Sequence, residues 1–198
     1  MNIPTENEMK NAIAERHGIE RQKKFSSSTV AICGLGGLGS NIAVSLARAG
    51  VGKLILIDFD CVDISNLNRQ QYKASQIGIK KTMALYFNLK EIAPYIDIRL
   101  HDADIICEAF DKAESKAELV NTVLEKMPDK YIVAASGMAG IGSANSITTK
   151  KITKKFYISG DNVSDVETEG CLFSSRVMLC AAHEAHMVLR ILSGEYDE

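Results

Sequence analysis

The segment Val30-Ala31-Ile32-Cys33-Gly34-Leu35-Gly36-Gly37-Leu38-Gly39 decides the fold of this chain. Its four apolar residues predict a short buried strand, its glycines predict a tight turn, and the residues from Ser40 to Ala49 are typical of a helix. Glycines let backbone N–H groups approach an anion, and the unpaired amides at a helix N-terminus stabilise its charge. The segment therefore predicts a phosphate-binding turn made by Gly34, Gly36, Gly37 and Gly39.

A second predicted strand, Lys53 to Ile57, ends at Asp58. An acid about twenty residues after a glycine turn is where Rossmann domains hold the hydroxyls of a ribose. Strand and helix patterns alternate further along the chain. We therefore predict an α/β fold with a Rossmann-like, doubly wound sheet that is mainly parallel and has antiparallel strands in its C-terminal half.

The polar segment from Val62 to Gln71 narrows the possible classes of nucleotide-binding protein, because a dehydrogenase usually enters its next helix at this point. It contains the run Asn66-Leu67-Asn68-Arg69-Gln70. The Gly-x-Gly-Gly-x-Gly turn, the Asp-x-Asp pair Asp58-Phe59-Asp60 and this Asn-Leu-x-Arg-Gln run resemble the ThiF/MoeB family, the bacterial relatives of the ubiquitin-activating enzymes. Downstream, Gly78-Ile79-Lys80-Lys81 resembles the family's Gly-x-Pro-Lys, and the resemblance thins out toward the C-terminus.

The resemblance implies an enzyme, a nucleotidyltransferase that uses ATP to adenylate the C-terminal glycine carboxylate of a small ubiquitin-like sulfur-carrier protein. The products would be an acyl-AMP and pyrophosphate, and the chain looks most like a short ThiF acting on ThiS in thiamine biosynthesis. In this family the glycine turn would bind phosphate and Asp58 the ribose. Asn66, Arg69 and Lys81 would contact the phosphate chain, Arg69 through its two-pronged guanidinium group and Lys81 as a point charge.

Asp111 is the candidate magnesium ligand. Glu108-Ala109-Phe110-Asp111 follows a predicted strand, Asp104 to Cys107, where the family has an Asp-Cys-Thr-Asp-Asn run whose last aspartate falls on Asp111. Mg²⁺ prefers carboxylate and phosphate oxygens, so the resemblance implies that Asp111 holds Mg²⁺ beside ATP. Asp111 could instead cap the helix that follows it.

Thr5 and Glu8 form a predicted capping box, which starts a helix that carries Arg16. In the resembling family an N-terminal arginine reaches into the nucleotide site of the partner subunit. The resemblance therefore implies a homodimer with Arg16 as a catalytic residue. The alternative is a solvent-exposed arginine on a helix surface.

Four side chains near the predicted site keep two interpretations. Lys80 stands beside Lys81, and the family's proline is missing here, so either lysine could contact the phosphates. Asp60 and Asp63 fit a nucleotide site and a loop equally well.

A chain of 198 residues with 46% hydrophobic content can form one core, so we expect a single domain over 1–198. Its predicted parts are an N-terminal helix over 1–25, a nucleotide-binding core over 29–135 and a substrate-side part over 136–198. The substrate-side part would contain the strands Asn145 to Thr149 and Lys154 to Ile158, a mobile acidic loop from Gly160 to Gly170, and a final helix from Ser174 to Leu192.

Two further patterns predict core elements. Ile96, Ile98 and Leu100 alternate as in a strand, and Tyr131 to Ala135 is another apolar strand. Between them an apolar stripe predicts that a helix buries Val120, Val123, Leu124 and Met127.

The formal net charge of -2 gives no electrostatic basis for binding nucleic acid or an anionic membrane. No apolar run is long enough to cross a bilayer, and the N-terminus has neither the basic nor the apolar region of a signal peptide. We expect a cytoplasmic protein with no nucleic-acid and no membrane partner.

The cysteines form no Cys-x-x-Cys pair, which argues against a disulfide framework and against a structural zinc. They are Cys33, Cys61, Cys107, Cys171 and Cys180. In related enzymes a cysteine before the final helix can link covalently to the carrier, and Cys171 lies in that region. Its part in a covalent step stays open, and adenylation is expected to proceed without it.

Other functions are compatible with the sequence. MoeB-like activation of the molybdopterin carrier belongs to the same class, as does activation of a carboxylate on tRNA, which the lack of a basic face disfavours. An NAD-dependent oxidoreductase also fits the glycine turn and Asp58, although Asn66 to Gln71 has no role in hydride transfer. A nucleotide-binding protein without catalysis is the third class.

Overall fold

The computed structural model describes residues 3–98 and 103–197, which form a seven-stranded sheet with helices packed on both faces. In chain order the elements are α1 (Glu6–His17), α2 (Ile19–Ser27), β1 (Thr29–Cys33), α3 (Gly37–Arg48), β2 (Lys53–Ile57), α4 (Lys81–Ile92), β3 (Asp97–Ile98), β4 (Ile105–Glu108), α5 (Ala113–Lys126), β5 (Tyr131–Ala135), β6 (Thr148–Lys151), β7 (Phe156–Gly160), α6 (Val166–Glu169) and α7 (Ser174–Ser193). Short 3-10 turns lie at Ile64–Asn66, Ala74–Gln76 and Ala144–Ser146.

The strand order is β3-β2-β1-β4-β5-β7-β6, and the antiparallel pair is β6 with β7. All other neighbours are parallel, which confirms the predicted α/β class and the antiparallel strands in the C-terminal half. The order reverses between β1 and β4, and open α/β sheets bind ligands outside the carboxyl ends of the strands at such a reversal. The glycine turn follows β1 and the segment 109–111 follows β4, so both lie at this point.

Alternate residues of β1 pack on opposite faces of the sheet, as the two-residue period of a strand requires. Val30 and Ile32 belong to a large core shared with α3, α4 and α7, whereas Ala31 and Cys33 belong to a second core shared with α5. On α7, one side of the helix is buried against the large core, including Val177, Ala181, Val188 and Ile191.

The N-terminal part differs from the single helix predicted over 1–25. The capping box of Thr5 and Glu8 is present and starts α1, but that helix ends at His17 and α2 starts two residues later. Gly18 separates the two helices at a φ of 87°, a conformation that interrupts a right-handed helix and that glycine adopts readily. No residue of α1 is buried.

Two other predictions need correction. On α5, Val123 is buried, but Leu124 and Met127 are exposed, because no described neighbouring helix shares the second core with α5. The strand predicted from Asn145 begins at Thr148, since the Ser143 hydroxyl accepts a hydrogen bond from the Asn145 backbone and caps a 3-10 turn. The other predicted bounds hold within three residues, and Leu100 lies outside the described residues.

The acidic segment from Gly160 to Gly170 is more ordered in its hydrogen bonding than an irregular loop. It contains α6, which Asp165 caps by accepting a hydrogen bond from the Glu167 backbone, and it ends at Gly170 in the left-handed conformation. The sequence pattern did not predict α6, because one helical turn is too short to show a period.

Candidate functional site

A crevice of about 460 Å³ lies at the carboxyl ends of β1, β2, β4 and β5, within the size range of small-molecule sites. Its floor begins at the glycine turn. Gly34 has a φ of 93°, and a Cβ atom there would lie 2.6 Å from the carbonyl oxygen of Ala109. The turn after β1 and the segment after β4 therefore pack too closely for any other residue.

Asp58 lines this crevice and also connects two segments of its wall by hydrogen bonds. One carboxylate oxygen accepts a hydrogen bond from the Leu35 backbone at 2.6 Å, and the other accepts one from the Asp60 backbone at 2.7 Å. The carboxylate thus joins the end of β2 to the glycine turn while remaining on the crevice wall.

The four predicted glycines separate into two groups. Gly34, Gly36 and Gly37 line the crevice. At Gly36 a Cβ atom would find only Gln70 nearby, at 3.9 Å, so the backbone is open to a ligand on that side. Gly39 lies behind the turn, where a Cβ atom would collide with the carbonyl oxygen of Gly34, so its role is to let α3 close against β1.

The predicted polar run brings Asn66, Arg69 and Gln70 to the crevice. The Arg69 guanidinium donates to the Ser65 carbonyl at 3.2 Å and to the Asn68 side chain at 3.0 Å. Both acceptors are neutral, so the charge of Arg69 stays available to an anion. Gln70 is buried, and its side-chain oxygen has no hydrogen-bond partner among the described residues.

Of the two adjacent lysines, Lys81 lines the crevice. It is buried, and its ammonium group lies 2.8 Å from a carboxylate oxygen of Asp60, which also lines the crevice. Lys80 turns away and donates to the Phe59 carbonyl. Asp63 is exposed and caps the 3-10 turn that starts at Ile64, so of the two aspartates it is the one with the loop role.

At the end of β4, Asp111 is exposed and lines the crevice, and the N-cap position of α5 is taken by Lys112.

Lys116 lines the same wall and was not singled out by the sequence. Its ammonium group lies 3.0 Å from a carboxylate oxygen of Glu108, which is fully buried, and 3.2 Å from the Ala135 carbonyl. A lysine one turn into a helix after a strand that ends in an acid is the signal that could have found it.

A buried acid stands behind this wall. Glu184 on α7 is fully buried, and neither of its carboxylate oxygens has a partner among the described residues. Burial raises the pKa of Glu184 well above its usual value, and the negative charge of Glu108 adds to the rise. Burial also raises the pKa of Glu108, which the ammonium group of Lys116 opposes.

The opposite wall consists of the loop after β5, the segment before α7 and the first turn of α7. It is made of small and apolar residues with one acid: Ser136, Gly137, Met138, Ala139, Asp165, Val166, Leu172 and Val177. This wall carries no cation, and it meets the glycine turn where Val177 lies beside Gly37.

Besides Gly39, Lys80 and Asp63, two further predicted residues lie outside the crevice lining. Arg16 is exposed on α1. Cys171 is half-buried, and its thiol donates to the Glu169 carbonyl at 3.4 Å, while the next residue, Leu172, lines the crevice.

The buried cysteines are poor nucleophiles. Burial raises the pKa of Cys33 to about 11, with a smaller contribution from Glu108, and it also raises the pKa of Cys107 and Cys180. Within residues 3–98 and 103–197 no three His, Cys, Asp or Glu side chains gather as a metal site, and the expectation of no structural zinc stays a prediction. In the same residues no helix is long and apolar enough to cross a membrane.

The fold and the crevice together define a Rossmann-like α/β protein with a glycine-turn site at the reversal of its strand order. A family model described as the ThiF family matches residues 9–197. The chain belongs to the ThiF family, as the resemblance predicted.

Among well-characterised proteins, the chain is similar to ubiquitin-like modifier-activating enzyme 5 of Caenorhabditis briggsae, with 41% identity over 92 residues, 46% of this chain and 21% of that protein. It is 33% identical to the Arabidopsis thaliana protein of the same name over 123 residues, 62% of this chain and 26% of that protein. The matched segments therefore span about a quarter of the length of these relatives.

Solved structures share the fold at low identity. Escherichia coli tRNA N6-threonylcarbamoyladenosine dehydratase, TcdA, in complex with ATP superposes with a TM-score of 0.83 and 17% identity, covering 98% of each chain. Escherichia coli MccB with ATP has a TM-score of 0.71 and 21% identity, covering 91% of this chain and 60% of MccB. At these identities the likeness concerns the fold alone.

Proposed function

We propose that this protein binds ATP in the crevice and adenylates the C-terminal carboxylate of a small ubiquitin-like carrier protein. The observation that carries the proposal is the meeting, at the reversal of strand order, of an open glycine turn with three cations, Arg69, Lys81 and Lys116. Such a site lowers the repulsion between an attacking carboxylate and a polyphosphate, which is the main barrier to this reaction.

The residues present fit ATP. The open backbone at Gly36 leaves room for phosphate oxygens, and the unpartnered side-chain oxygen of Gln70 can accept a hydrogen bond from a nucleotide amine or hydroxyl. Asp58 stands at the strand end where a ribose would lie, and Asn66, Arg69 and Lys81 would hold the phosphate chain. TcdA and MccB, which share this fold, both have structures with ATP.

Asp111 would hold Mg²⁺ together with phosphate oxygens, since its carboxylate lies on the crevice wall. The ion would supply positive charge at the phosphates when bound. The protein's own residues would orient the two anions: the glycine turn and Arg69 the nucleotide, and the opposite wall the carrier tail.

The choice of a ubiquitin-like carrier rests on the likeness to ubiquitin-like modifier-activating enzyme 5. One of the other named neighbours is a tRNA N6-threonylcarbamoyladenosine dehydratase, and MccB is seen with MccA. A ThiS-like carrier and thiamine biosynthesis therefore remain one proposal within the carrier class. A homodimer in which Arg16 enters the partner's crevice is a further part of the proposal, and light scattering that finds a monomer at assay concentration would contradict it.

The test is the exchange of radiolabelled pyrophosphate into ATP, measured with Mg²⁺ and a panel of carriers that end in Gly-Gly. Asp111→Asn should lower exchange by a factor of about 100 or more, because it removes charge at the phosphates but keeps the side-chain shape. Asp129→Asn is the matched control, since Asp129 is exposed at the start of β5, at the other end of the sheet. Binding of NAD without binding of ATP would overturn the proposed function in favour of an oxidoreductase.

A further inference from the structure

A buried ion pair lies behind the opposite wall of the crevice. Arg176, in the first turn of α7, and Asp161, directly after β7, lie 2.5 Å apart, with 6% and 11% of their side chains exposed. Neither residue lines the crevice itself. In the sequence analysis Asp161 was part only of the acidic segment from Gly160 to Gly170, which was predicted to be a mobile loop.

Asp161 joins two loops that do line the crevice. One carboxylate oxygen accepts hydrogen bonds from the backbones of Val163, at 2.9 Å, and Ser164, at 2.8 Å, just before Asp165 and Val166 enter the wall. The backbone N–H of Asp161 donates to the Gly137 carbonyl at 2.9 Å, in the loop after β5. A Cβ atom at Gly137 would collide with this carboxylate, so the loop is fitted to it.

Arg176 extends the same connection. Its guanidinium donates to the carbonyls of Gly142, at 2.7 Å, and Ser143, at 2.8 Å, and to the Ser146 hydroxyl at 3.2 Å. These residues continue the loop after β5 toward β6. The two side chains therefore fix both loops of the opposite wall against the start of α7.

The nucleotide half of the crevice is built separately. Asp58 follows β2, Arg69 belongs to the polar run and Lys81 to α4, and the hydrogen bonds of these three side chains are made within that half. A change at Asp161 or Arg176 is therefore expected to move the opposite wall more than these residues.

We infer that Asp161 and Arg176 are positioning residues for the second substrate, holding the wall on which the carboxylate-bearing tail of the carrier lies. This inference rests on the proposed function for the identity of that substrate. Ser136, Gly137 and Ala139 present little side chain to the crevice, which suits an extended tail that itself ends in glycine.

The test uses Asp161→Asn, which keeps the size of the side chain, and Arg176→Lys, which keeps the charge but removes the fork. Arg190→Lys is the matched control, because Arg190 is a partly buried arginine on the same helix, paired with Glu195 far from the crevice. Thermal melting identifies which variants fold. Hydrogen exchange of the Val163 and Ser164 amides, calorimetry with ATP and the KM for a carrier that the wild type activates are then measured.

The expected result is faster exchange of both amides, a Kd for ATP within about twofold of wild type, and a KM for the carrier raised about tenfold or more, with kcat changed less. The control should leave all three unchanged. A weaker Kd for ATP by a similar factor, or an unchanged KM in every folded variant, would overturn the inference.

Failure of the proposed function gives a different pattern. If the wild type binds ATP but exchanges pyrophosphate with no carrier, the proposed substrate is wrong. The amide exchange of the folded variants then decides alone whether the pair positions the wall, and exchange as slow as in the wild type would refute it.

Discussion

Replacing Glu184 by glutamine should stabilise the protein more strongly as the pH rises. The carboxyl group is fully buried without a described partner, and it faces Glu108, Lys116 and the thiols of Cys107 and Cys180. Burial and the charge of Glu108 raise its pKa well above the usual 4.5, so the folded protein holds a proton there that the unfolded chain releases.

The direction of the pH effect on the free energy of unfolding follows from this difference in bound protons. Below pH 4.5 both states hold the proton, and Glu184 adds no pH dependence to the free energy of unfolding. As the pH rises, folding of the wild type must keep a proton on Glu184, which lowers its stability by up to about 1.36 kcal/mol for each pH unit. Glutamine binds no proton in either state, so between pH 4.5 and pH 7 the advantage of Glu184→Gln should grow by up to about 3.4 kcal/mol.

Urea unfolding at one-unit steps from pH 4.5 to pH 7.5 measures this difference, because contributions shared by the two proteins cancel. Glu125→Gln, which removes an exposed carboxylate from α5, is the control for the loss of one negative charge. The difference between Glu184→Gln and wild type should increase with pH and level off above the pKa of the folded state. A difference that stays flat over this range would show that Glu184 is ionised in the folded protein and would refute the reasoning.

Three further predictions concern the glycine turn and Cys171. Gly34→Ala should lower the free energy of unfolding by about 2 kcal/mol or more, because of its positive φ and its contact with Ala109, as urea unfolding would detect. Gly36→Ala should unfold like the wild type yet bind ATP about tenfold more weakly in calorimetry, since its side chain would occupy space beside the phosphates. Cys171→Ser should keep pyrophosphate exchange near wild type, and metal analysis should find zinc well below one per chain; loss of exchange or stoichiometric zinc would contradict these expectations.

The sequence predicted the nucleotide half of the molecule well because that half is built from local patterns. A glycine at positive φ, an apolar strand and an acid at its end each leave a mark within a few residues, and Gly34, the strand at Lys53–Ile57 and Asp58 all lie where expected. The break at Gly18 was missed because a lone glycine marks the end of a helix and gives no sign that another begins.

The substrate half was harder to predict because its contacts join distant parts of the chain. Arg176 pairs with Asp161 across the segment that contains α6, and it also holds carbonyls before β6. A charge pattern read along the sequence cannot show such pairs, and neither residue belongs to a motif. Lys116 was missed because it belongs to no motif; its spacing after Glu108 was a local signal, and the packing of α5 beside β4 makes the two residues an ion pair.

The three cations of the crevice differ in the groups that they contact. This difference indicates separate roles in ATP binding and in catalysis. Lys81 and Lys116 each lie against a carboxylate, Asp60 and Glu108, so their ammonium groups are fixed before any ligand arrives. Arg69 is bound by neutral acceptors and keeps its full charge for the ligand. A preorganised charge favours the transition state without reorganisation, whereas a charge without an anionic partner gains most from a phosphate. Loss of Arg69 should therefore weaken ATP binding first, and loss of Lys116 should slow pyrophosphate exchange more than it weakens binding.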